Sequence, residues 1–327
     1  MTILNLYDDA KAFVNTPHKH LIQRLSIRSK GKTRQVNNPN PKLKSVLKEW
    51  NVELTHYYQR ELQRHGLEDV AHAYLPGKSI MSNANIHKHS DVIQFDFKGF
   101  YDSCQYKYFK NHLETIDPSI QQDQKRRHAY IRRLVIDPET KGVTQGLPVS
   151  GALAGLTLIP FWSALKNNLP EGIIFTQYSD DLTFSVKDNQ PHHDFTVETL
   201  TDYIHYCLSI TGLDFTLNHE KTRQDTAHNR KITGIRINHA DQTTPSRKDY
   251  RMLRQALYEM TKTDELKDVL TQFNFESKAS FVGKIAYMRH IDETGKIDKL
   301  INKYQNTCLK HDIFKTWISK QYSYVKH

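Results

Sequence analysis

The pattern of apolar and polar positions predicts two short strands joined by an acidic turn. Residues 173–178 are rich in β-branched and aromatic side chains, and residues 182–186 alternate apolar with polar, as in a half-buried strand. Asp180 and Asp181 stand between them. Adjacent carboxylates repel one another, so we expect a cation, most simply a divalent metal ion, to neutralise them. A polar turn without a ligand is the alternative for an isolated Asp-Asp pair.

A second apolar strand is predicted over residues 92–98 and carries one acid, Asp96. A carboxylate inside such a strand is costly unless it is paired or bound to metal. For a lone residue, a hydrogen-bonded or exposed structural acid is the alternative. Asp96 therefore becomes a candidate metal ligand only together with the acidic turn.

A sharp turn at residues 143–151 precedes the longest apolar run, residues 152–165. The turn places backbone amides and the Gln145 side chain at a helix entry, which suits the floor of a nucleotide pocket. The run is shorter than the roughly 20 residues that a membrane span needs. It therefore predicts a buried helix, which Pro160 interrupts. Further helices are predicted over residues 43–65, 124–134, 197–210 and 246–261, with a new helical unit beginning at the last of these.

The composition points to a polyanionic partner. Among 327 residues, 46 Lys and Arg face 36 Asp and Glu, which gives a formal charge of +10 and an isoelectric point near 9.2. Nucleic acid is the first candidate and an anionic membrane surface the second. Three separated cysteines suggest neither a disulfide framework nor a thiolate zinc site. With no signal-peptide pattern at the N-terminus, we expect a cytoplasmic protein.

Basic residues concentrate in three segments. A predicted hairpin around residues 25–36, the helix over 124–134 and an aromatic-rich segment over 303–326 each suit contact with a nucleic-acid backbone. A solvated surface, with lysines that only solubilise, is the alternative for each of them.

The motifs, taken in order, resemble the palm of a reverse transcriptase. The ordered set is Asp96, then Gln145-Gly146-x-Pro148-x-Ser150, then Tyr178-Ser179-Asp180-Asp181, then Lys221. Finer features over residues 20–300 are similar to bacterial retron reverse transcriptases: Asn83-Ala84-x-x-His87, Phe100-Tyr101 and Ile232-Thr233-Gly234-Ile235. The chain departs from the retron pattern at Ser179, commonly Ala, at Gly151, commonly Pro, and at Pro160.

The resemblance implies an α+β right-hand polymerase fold. Its parts are fingers, a palm with an RRM-like antiparallel sheet packed on helices, and a helical thumb. The expected boundaries are fingers at 1–91 and 105–145, palm at 92–104 and 146–239, and thumb with a C-terminal RNA-binding region at 240–327.

The resemblance also implies roles for individual residues. Two Mg²⁺ ions would be held by Asp96, Asp180, Asp181 and the Phe97 carbonyl, because Mg²⁺ prefers oxygen ligands. Lys221 would act as a general acid toward the leaving pyrophosphate. Nucleotide binding is expected from Lys32, Arg34, Tyr101 and Gln145, with Tyr101 excluding a 2′-hydroxyl. RNA binding is expected from Arg251, Lys284 and Arg289, and either RNA contact or a structural role from Asn83 and His87.

The implied function is the copying of part of a structured noncoding RNA into RNA-linked, branched single-stranded DNA from deoxynucleotides. The expected setting is an anti-phage system with a toxin or effector protein, away from membranes. Two alternatives are another defence-associated reverse transcriptase that makes repetitive or untemplated DNA, and an RNA-binding scaffold that restrains a toxin. A zinc protein built on the pairs around His18, His87 and His192 is disfavoured because the ligand spacing is not coherent.

Overall fold

A computed structural model describes residues 4–29, 32–187, 192–226, 230–238 and 240–313, without the side chains of residues 27–34. The chain forms two compact units, Met1–Gln224 and Asp225–His327. The first unit contains the predicted fingers together with most of the predicted palm, and the second unit begins at residue 225, before the predicted start of the thumb at 240. The boundaries of fingers, palm and thumb therefore stay a prediction.

The first unit is built around an antiparallel sheet. Its strands lie in the order β4, β5, β3, β6, and β7 also pairs with β3. A separate hairpin, β1 with β2, precedes it in the chain and confirms the predicted basic hairpin. The strands are β1 (Ile22–Ser29), β2 (Lys32–Pro39), β3 (Val92–Lys98), β4 (Ile173–Tyr178), β5 (Asp181–Val186), β6 (Thr216–Leu217) and β7 (Arg223–Asp225).

Helices cover the apolar residues of this sheet. Those of the first unit are α1 (Leu6–Lys11), α2 (His18–Leu21), α3 (Pro41–Arg64), α4 (Ile80–His87), α5 (Phe100–Ser103), α6 (Tyr106–Ile116), α7 (Gln124–Val135), α8 (Ser150–Asn168) and α9 (Val197–Thr211), with 3₁₀ segments at Pro118–Asp123 and His219–Lys221. The predicted apolar helix is α8, and it is buried on most of its surface against α3, α6 and α9.

The prediction that Pro160 interrupts this helix is wrong, since α8 runs through it. Proline removes one backbone hydrogen bond, but Pro160 itself is exposed while both of its neighbours, Ile159 and Phe161, are buried. Packing of those neighbours holds the helix together across the missing bond.

Two glycines one turn apart let α8 approach aromatic rings. A Cβ at Gly155 would lie 2.3 Å from the ring of Tyr58 on α3, and a Cβ at Gly151 would lie 2.3 Å from the ring of Tyr74. Real contacts are never so short, so both positions require glycine if the rings are to stay where they are.

The second unit has its own core and a small sheet. Its strands lie in the order β10, β9, β8, and its helices bury apolar side chains that include Leu257, Phe281 and Met288. The elements are β8 (Lys231–Ile232), β9 (Ile235–Ile237), β10 (Thr243–Thr244), α10 (Arg247–Met260), α11 (Leu266–Gln272), α12 (Lys278–His290), α13 (Lys296–Lys303) and α14 (Gln305–Lys310). The predicted helix start at residue 246 is confirmed, because the Ser246 side chain accepts a hydrogen bond from the Asp249 amide.

Within the described part of the chain, none of the helices combines the length and the apolar character required to cross a membrane. The aromatic-rich segment singled out at residues 303–326 lies largely outside the described residues, which end at 313.

Candidate active site

The three acids lie on two neighbouring strands. Asp96 of β3 is in register with Asp181, the first residue of β5, and the Phe97 amide donates a hydrogen bond of 3.1 Å to the Asp180 carbonyl. Ser179 and Asp180 form the turn, and Ser179 adopts a left-handed backbone with φ of 58°. The predicted hairpin is confirmed, with Asp181 inside the strand instead of at the tip.

Asp96 is the most enclosed of the three carboxyls, with an exposed fraction of 5%. The Lys221 ammonium donates to both of its oxygens at 2.8 Å, and Asn218 Nδ2 donates to Oδ1 at 3.2 Å. The hydrogen bond to Asp96 is the main reason that the pKa of Lys221 is raised. Lys221 is therefore a firmly protonated cation beside the acids, and Asn218 is a site residue that sequence reasoning missed.

The other two carboxyls have raised pKa values. Burial is the main cause for Asp180, with the Asp96 charge adding to it. Burial, followed by the Asp180 charge, raises the pKa of Asp181 to about 6. Three carboxylates beside two cations, Lys221 and Arg223, leave unbalanced negative charge, and oxygen donors of this kind fit a hard divalent cation.

We predict that Mg²⁺ raises the melting temperature more at pH 8 than at pH 5. A carboxyl with a raised pKa stabilises the fold while it is protonated, and this contribution is lost as the pH rises through about 6 for Asp181. A cation restores the balance only once the carboxyls are ionised. The expected gain is about 2–4 °C for each kcal/mol of binding free energy, measured by calorimetry at both pH values, and an equal gain at pH 5 would contradict the argument.

Asp96 and Asp180 line a pocket of about 550 Å³. Its lining brings together the predicted residues of the site, namely Asp96, Phe97, Tyr101, Gln145, Asp180 and Lys221, and adds Tyr74, Ser179 and Asn218. Asp181 is not part of this lining.

The turn before α8 is held close to the hairpin of the N-terminal region. Asn37 Nδ2 on β2 donates to the Gln145 carbonyl at 3.1 Å, and Gly146 has φ of 98°. A Cβ on Gly146 would lie 2.7 Å from the Asn37 carbonyl oxygen. The glycine is thus needed both for its backbone conformation and for this close approach.

Replacing Gly146 with alanine is expected to lower stability more than the same change at Gly212. Gly212 also has a left-handed backbone, with φ of 65°, but open space around it. Its substitution should cost about 1–2 kcal/mol for strain alone. At Gly146 the overlap with Asn37 should add about 1–3 kcal/mol. Melting temperatures of the two variants give the comparison, and equal losses would show that β2 simply moves away.

Three hydroxyls form a chain at the rim of the pocket. Tyr101 donates to the Tyr74 hydroxyl at 2.7 Å, and the Tyr74 hydroxyl lies 2.8 Å from Ser179 Oγ. Burial and the neighbouring Tyr74 raise the pKa of Tyr101. Tyr101 therefore stays neutral and can donate. Tyr74 was not assigned a role from the sequence, where it is one aromatic residue among many in a loop.

The phosphate-binding assignments fall on the β1–β2 hairpin. Lys32 and Arg34 lie on β2, and their side chains lie outside the described residues. Their assignment stays a prediction.

A direct RNA contact by Asn83 and His87 is excluded by their burial. Their exposed fractions are 0% and 1%. His87 bonds through Nδ1 to Ser185 Oγ and through Nε2 to Thr176 Oγ1, each at 2.7 Å, and Thr176 donates to Asn83. The network ties α4 to both strands of the acidic hairpin. Of the two roles predicted, this burial supports the structural one.

We predict that His87 makes the fold sensitive to acid. Burial lowers its pKa from 6.5 to about 3, so its contribution to stability is present above pH 6.5 and is lost as the pH falls toward 3. The loss is at most about 1.4 kcal/mol for each pH unit. In His87→Gln the slope of stability against pH should be shallower by that amount in denaturant titrations. The exposed His56→Gln serves as control, and an unchanged slope in His87→Gln would contradict the prediction.

Of the residues assigned to RNA on the second unit, Arg251 lines a cavity of about 540 Å³ together with Arg236, Arg247 and Lys296. The other two are engaged within the unit. Lys284 pairs with Asp249 at 2.9 Å, and Arg289 pairs with Asp298. Arg251 thus belongs to a basic surface, whereas the other two charges are partly balanced.

The histidines weighed as zinc ligands have separate surroundings. His87 is occupied by its buried hydrogen bonds. His192, His193 and Asp194 are consecutive residues whose ligand atoms lie within 4.8 Å of one another. Neighbours in sequence at the surface often lie this close without binding an ion, so the zinc interpretation gains nothing.

Comparison with known proteins shows which family and which relatives this chain is similar to. The family model described as reverse transcriptase (RNA-dependent DNA polymerase) matches residues 26–237. The retron Mx162 reverse transcriptase of Myxococcus xanthus is 28% identical over 257 residues, covering 71% of this chain and 51% of that protein. The retron Ec83 reverse transcriptase of Escherichia coli is 22% identical over 235 residues, covering 69% of this chain and 70% of that protein. The chain thus spans about half the length of the first relative.

Among solved structures, apo telomerase from Candida tropicalis is similar with a TM-score of 0.47 and 12% identity, covering 89% of this chain and 63% of that one. The family match confirms the predicted polymerase fold class, and the two relatives confirm the resemblance to bacterial retron reverse transcriptases.

Proposed function

The chain belongs to the reverse transcriptase (RNA-dependent DNA polymerase) family, and from that premise we propose that it is an RNA-directed DNA polymerase. The observation that carries the proposal is the convergence of Asp96, Asp180 and Asp181 on adjacent strands beside an open pocket. A catalytically silent scaffold would have no need of three carboxylates whose mutual repulsion is costly.

The acids and the Phe97 carbonyl would hold two divalent ions, for which Mg²⁺ is our proposal. When bound, such ions would stabilise the attacking and leaving oxygens of a phosphoryl transfer. The chain supplies the fixed positions of the ligands, because β3 and β5 are paired in register and Asp96 is buried. The buried His87 network braces the same hairpin from α4.

Lys221 is proposed to face the phosphates of the incoming nucleotide. Its raised pKa, caused by Asp96, makes it a weak proton donor while the ion pair lasts. Proton transfer to the leaving pyrophosphate therefore requires the ammonium to exchange Asp96 for phosphate oxygens. With 58% of its side chain exposed, Lys221 has room for that movement.

Nucleotide binding is proposed for Tyr101 and Gln145 at the pocket, with Lys32 and Arg34 on β2 reaching the triphosphate. The Tyr101 ring would lie against the sugar, where a 2′-hydroxyl has no space. Deoxynucleotides are therefore the proposed substrates, bound in the 550 Å³ pocket that Tyr101 and Gln145 line.

We further propose that the chain acts as a retron reverse transcriptase, which is what its two relatives are named. In that role it would copy part of a structured noncoding RNA into RNA-linked, branched single-stranded DNA. The basic cavity around Arg251 is the proposed RNA surface, with Lys284 and Arg289 of the same unit as further RNA-binding residues. An anti-phage setting with an effector protein, a cytoplasmic location, and the division into fingers, palm and thumb belong to this proposal.

The test is incorporation of labelled nucleotide on a primed RNA template with Mg²⁺. Incorporation of dNTP, lost on chelation, would support the polymerase. Sequencing the nucleic acid that copurifies with the chain then separates the retron role, which requires DNA joined to RNA at one defined site, from repetitive or untemplated synthesis. Failure on both the generic template and the chain's own RNA would favour the scaffold.

A further inference from the structure

We propose that Tyr74 is a positioning residue for sugar selection, acting by holding the Tyr101 hydroxyl against the pocket wall through a hydrogen-bond chain that ends at Ser179. The inference rests on the proposed polymerase function and adds a determinant of its specificity. Its basis is geometric: three hydroxyls from three separate segments meet at one rim of the pocket.

The hydroxyl of Tyr74 joins the other two. Tyr101 donates to the Tyr74 hydroxyl at 2.7 Å. The Tyr74 hydroxyl lies 2.8 Å from Ser179 Oγ, and because each hydroxyl can both donate and accept, either oxygen can be the donor of that second bond. Ser179 is the residue immediately before Asp180. The chain thus links the tyrosine of the sugar pocket to the turn that carries a metal ligand.

The position of Tyr74 is determined by more than its hydroxyl. Its backbone is left-handed with φ of 62°, and Ser179 is left-handed with φ of 58°. Such conformations are uncommon for residues other than glycine and persist where the surroundings enforce them. The Tyr74 ring also lies on Gly151, where any Cβ would approach it to 2.3 Å. The hydroxyl is therefore presented to Tyr101 from a fixed point.

The bond to Tyr74 would affect sugar selection by restraining movement of the Tyr101 ring. Exclusion of a 2′-hydroxyl requires the Tyr101 ring to stay in place when a ribonucleotide enters. A ring held only by its own rotamer could turn aside, whereas a ring whose hydroxyl is bonded to Tyr74 must first break that bond. The free-energy difference that disfavours rNTP relative to dNTP should therefore contain a contribution equal to one hydrogen bond between neutral groups.

Two single substitutions test the chain, one at its middle residue and one at its far end. Tyr74→Phe removes the acceptor of the Tyr101 hydroxyl and keeps the ring on Gly151, and Ser179→Ala removes the anchor of Tyr74. Each should lower the ratio of kcat/KM for dNTP to that for rNTP by about three- to tenfold, chiefly by improving the use of rNTP. The double variant should be no worse than the stronger single one, because both changes break the same chain.

Three comparisons make the result specific. Tyr206→Phe, at a tyrosine with 53% exposure against 48% for Tyr74, controls for loss of a surface hydroxyl. Ser179→Asn retains a hydrogen-bonding side chain that tolerates a left-handed backbone and should restore the ratio. A role in folding alone would lower the melting temperature and affect both sugars equally, which would overturn the proposal.

Binding without turnover separates this proposal from the polymerase proposal. On a primed RNA that ends in a 3′-deoxynucleotide, the dissociation constants of dNTP and rNTP are measured for wild type and for Tyr74→Phe. A preference for dNTP that shrinks in the variant supports the inference even if no incorporation occurs. Equal affinity for both sugars in wild type, or an unchanged preference in Tyr74→Phe and Ser179→Ala, overturns it.

Discussion

Asp180→Asn is expected to lower dNTP incorporation at least about 10³-fold while the fold is retained. A metal ligand in phosphoryl transfer contributes several kcal/mol to stabilising the transition state, and each 1.36 kcal/mol is a factor of about ten. An amide keeps the size of the carboxyl but has no negative charge to offer a cation. The loss should appear in kcat, measured in steady state on a primed RNA template.

The stability of the same variant should move in the opposite direction. Burial and the charge of Asp96 already raise the pKa of Asp180, so the ionised carboxylate is destabilising in the absence of a cation. Without metal at pH 8, Asp180→Asn should melt no lower than wild type. Asp202→Asn, at an exposed acid on α9, should change neither activity nor stability. Full activity in Asp180→Asn would remove the basis for a metal site here.

The sequence carries strong information about the acidic hairpin. Alternation over residues 182–186 and the apolar run around Asp96 predict the two strands, and the resemblance to the palm of a reverse transcriptase implies that the acids on them come together. The buried helix α8 follows from its composition in the same way. These elements were predictable because each depends on a pattern within a single short segment.

The surroundings of the site depend on contacts between distant segments, and these were not predictable. The motif of Asn83 and His87 is polar, which suits RNA as well as a buried network, and only the partners Thr176 and Ser185 decide between the two. Asn218 likewise gains its role from lying beside Asp96. Nothing in the local sequence of these residues specifies a partner.

Gly151 and Ser179, two of the departures from the retron pattern, are explained by their contacts with the same residue, Tyr74. Gly151 provides the surface on which the Tyr74 ring lies, and Ser179 provides the hydroxyl that its phenol reaches. Viewed in the sequence, they are unrelated substitutions 28 positions apart. In the folded chain both accommodate a single tyrosine at the nucleotide pocket.

Tyr101→Val is expected to reduce the preference for dNTP over rNTP on the order of 100-fold. This is about the factor by which a pocket without a specific polar contact discriminates against a substrate that carries one additional hydroxyl. Tyr101 lies at the rim of the pocket with its ring packed edge-on against Phe100 at 5.3 Å. Valine removes the ring and leaves space for the 2′-oxygen. Single-nucleotide incorporation of dNTP and rNTP opposite the same template base gives the ratio.

Tyr101→Phe is the matched variant, because it keeps the bulk of the ring and loses only the bond to Tyr74. If the ring excludes the 2′-hydroxyl and Tyr74 holds the ring, Tyr101→Phe should lower the preference by about three- to tenfold, as much as Tyr74→Phe and far less than valine. An unchanged preference in Tyr101→Val would assign sugar selection to another residue of the pocket. Equal effects of phenylalanine and valine would instead mean that the hydroxyl itself repels the ribose, since ring bulk is the property that separates the two variants.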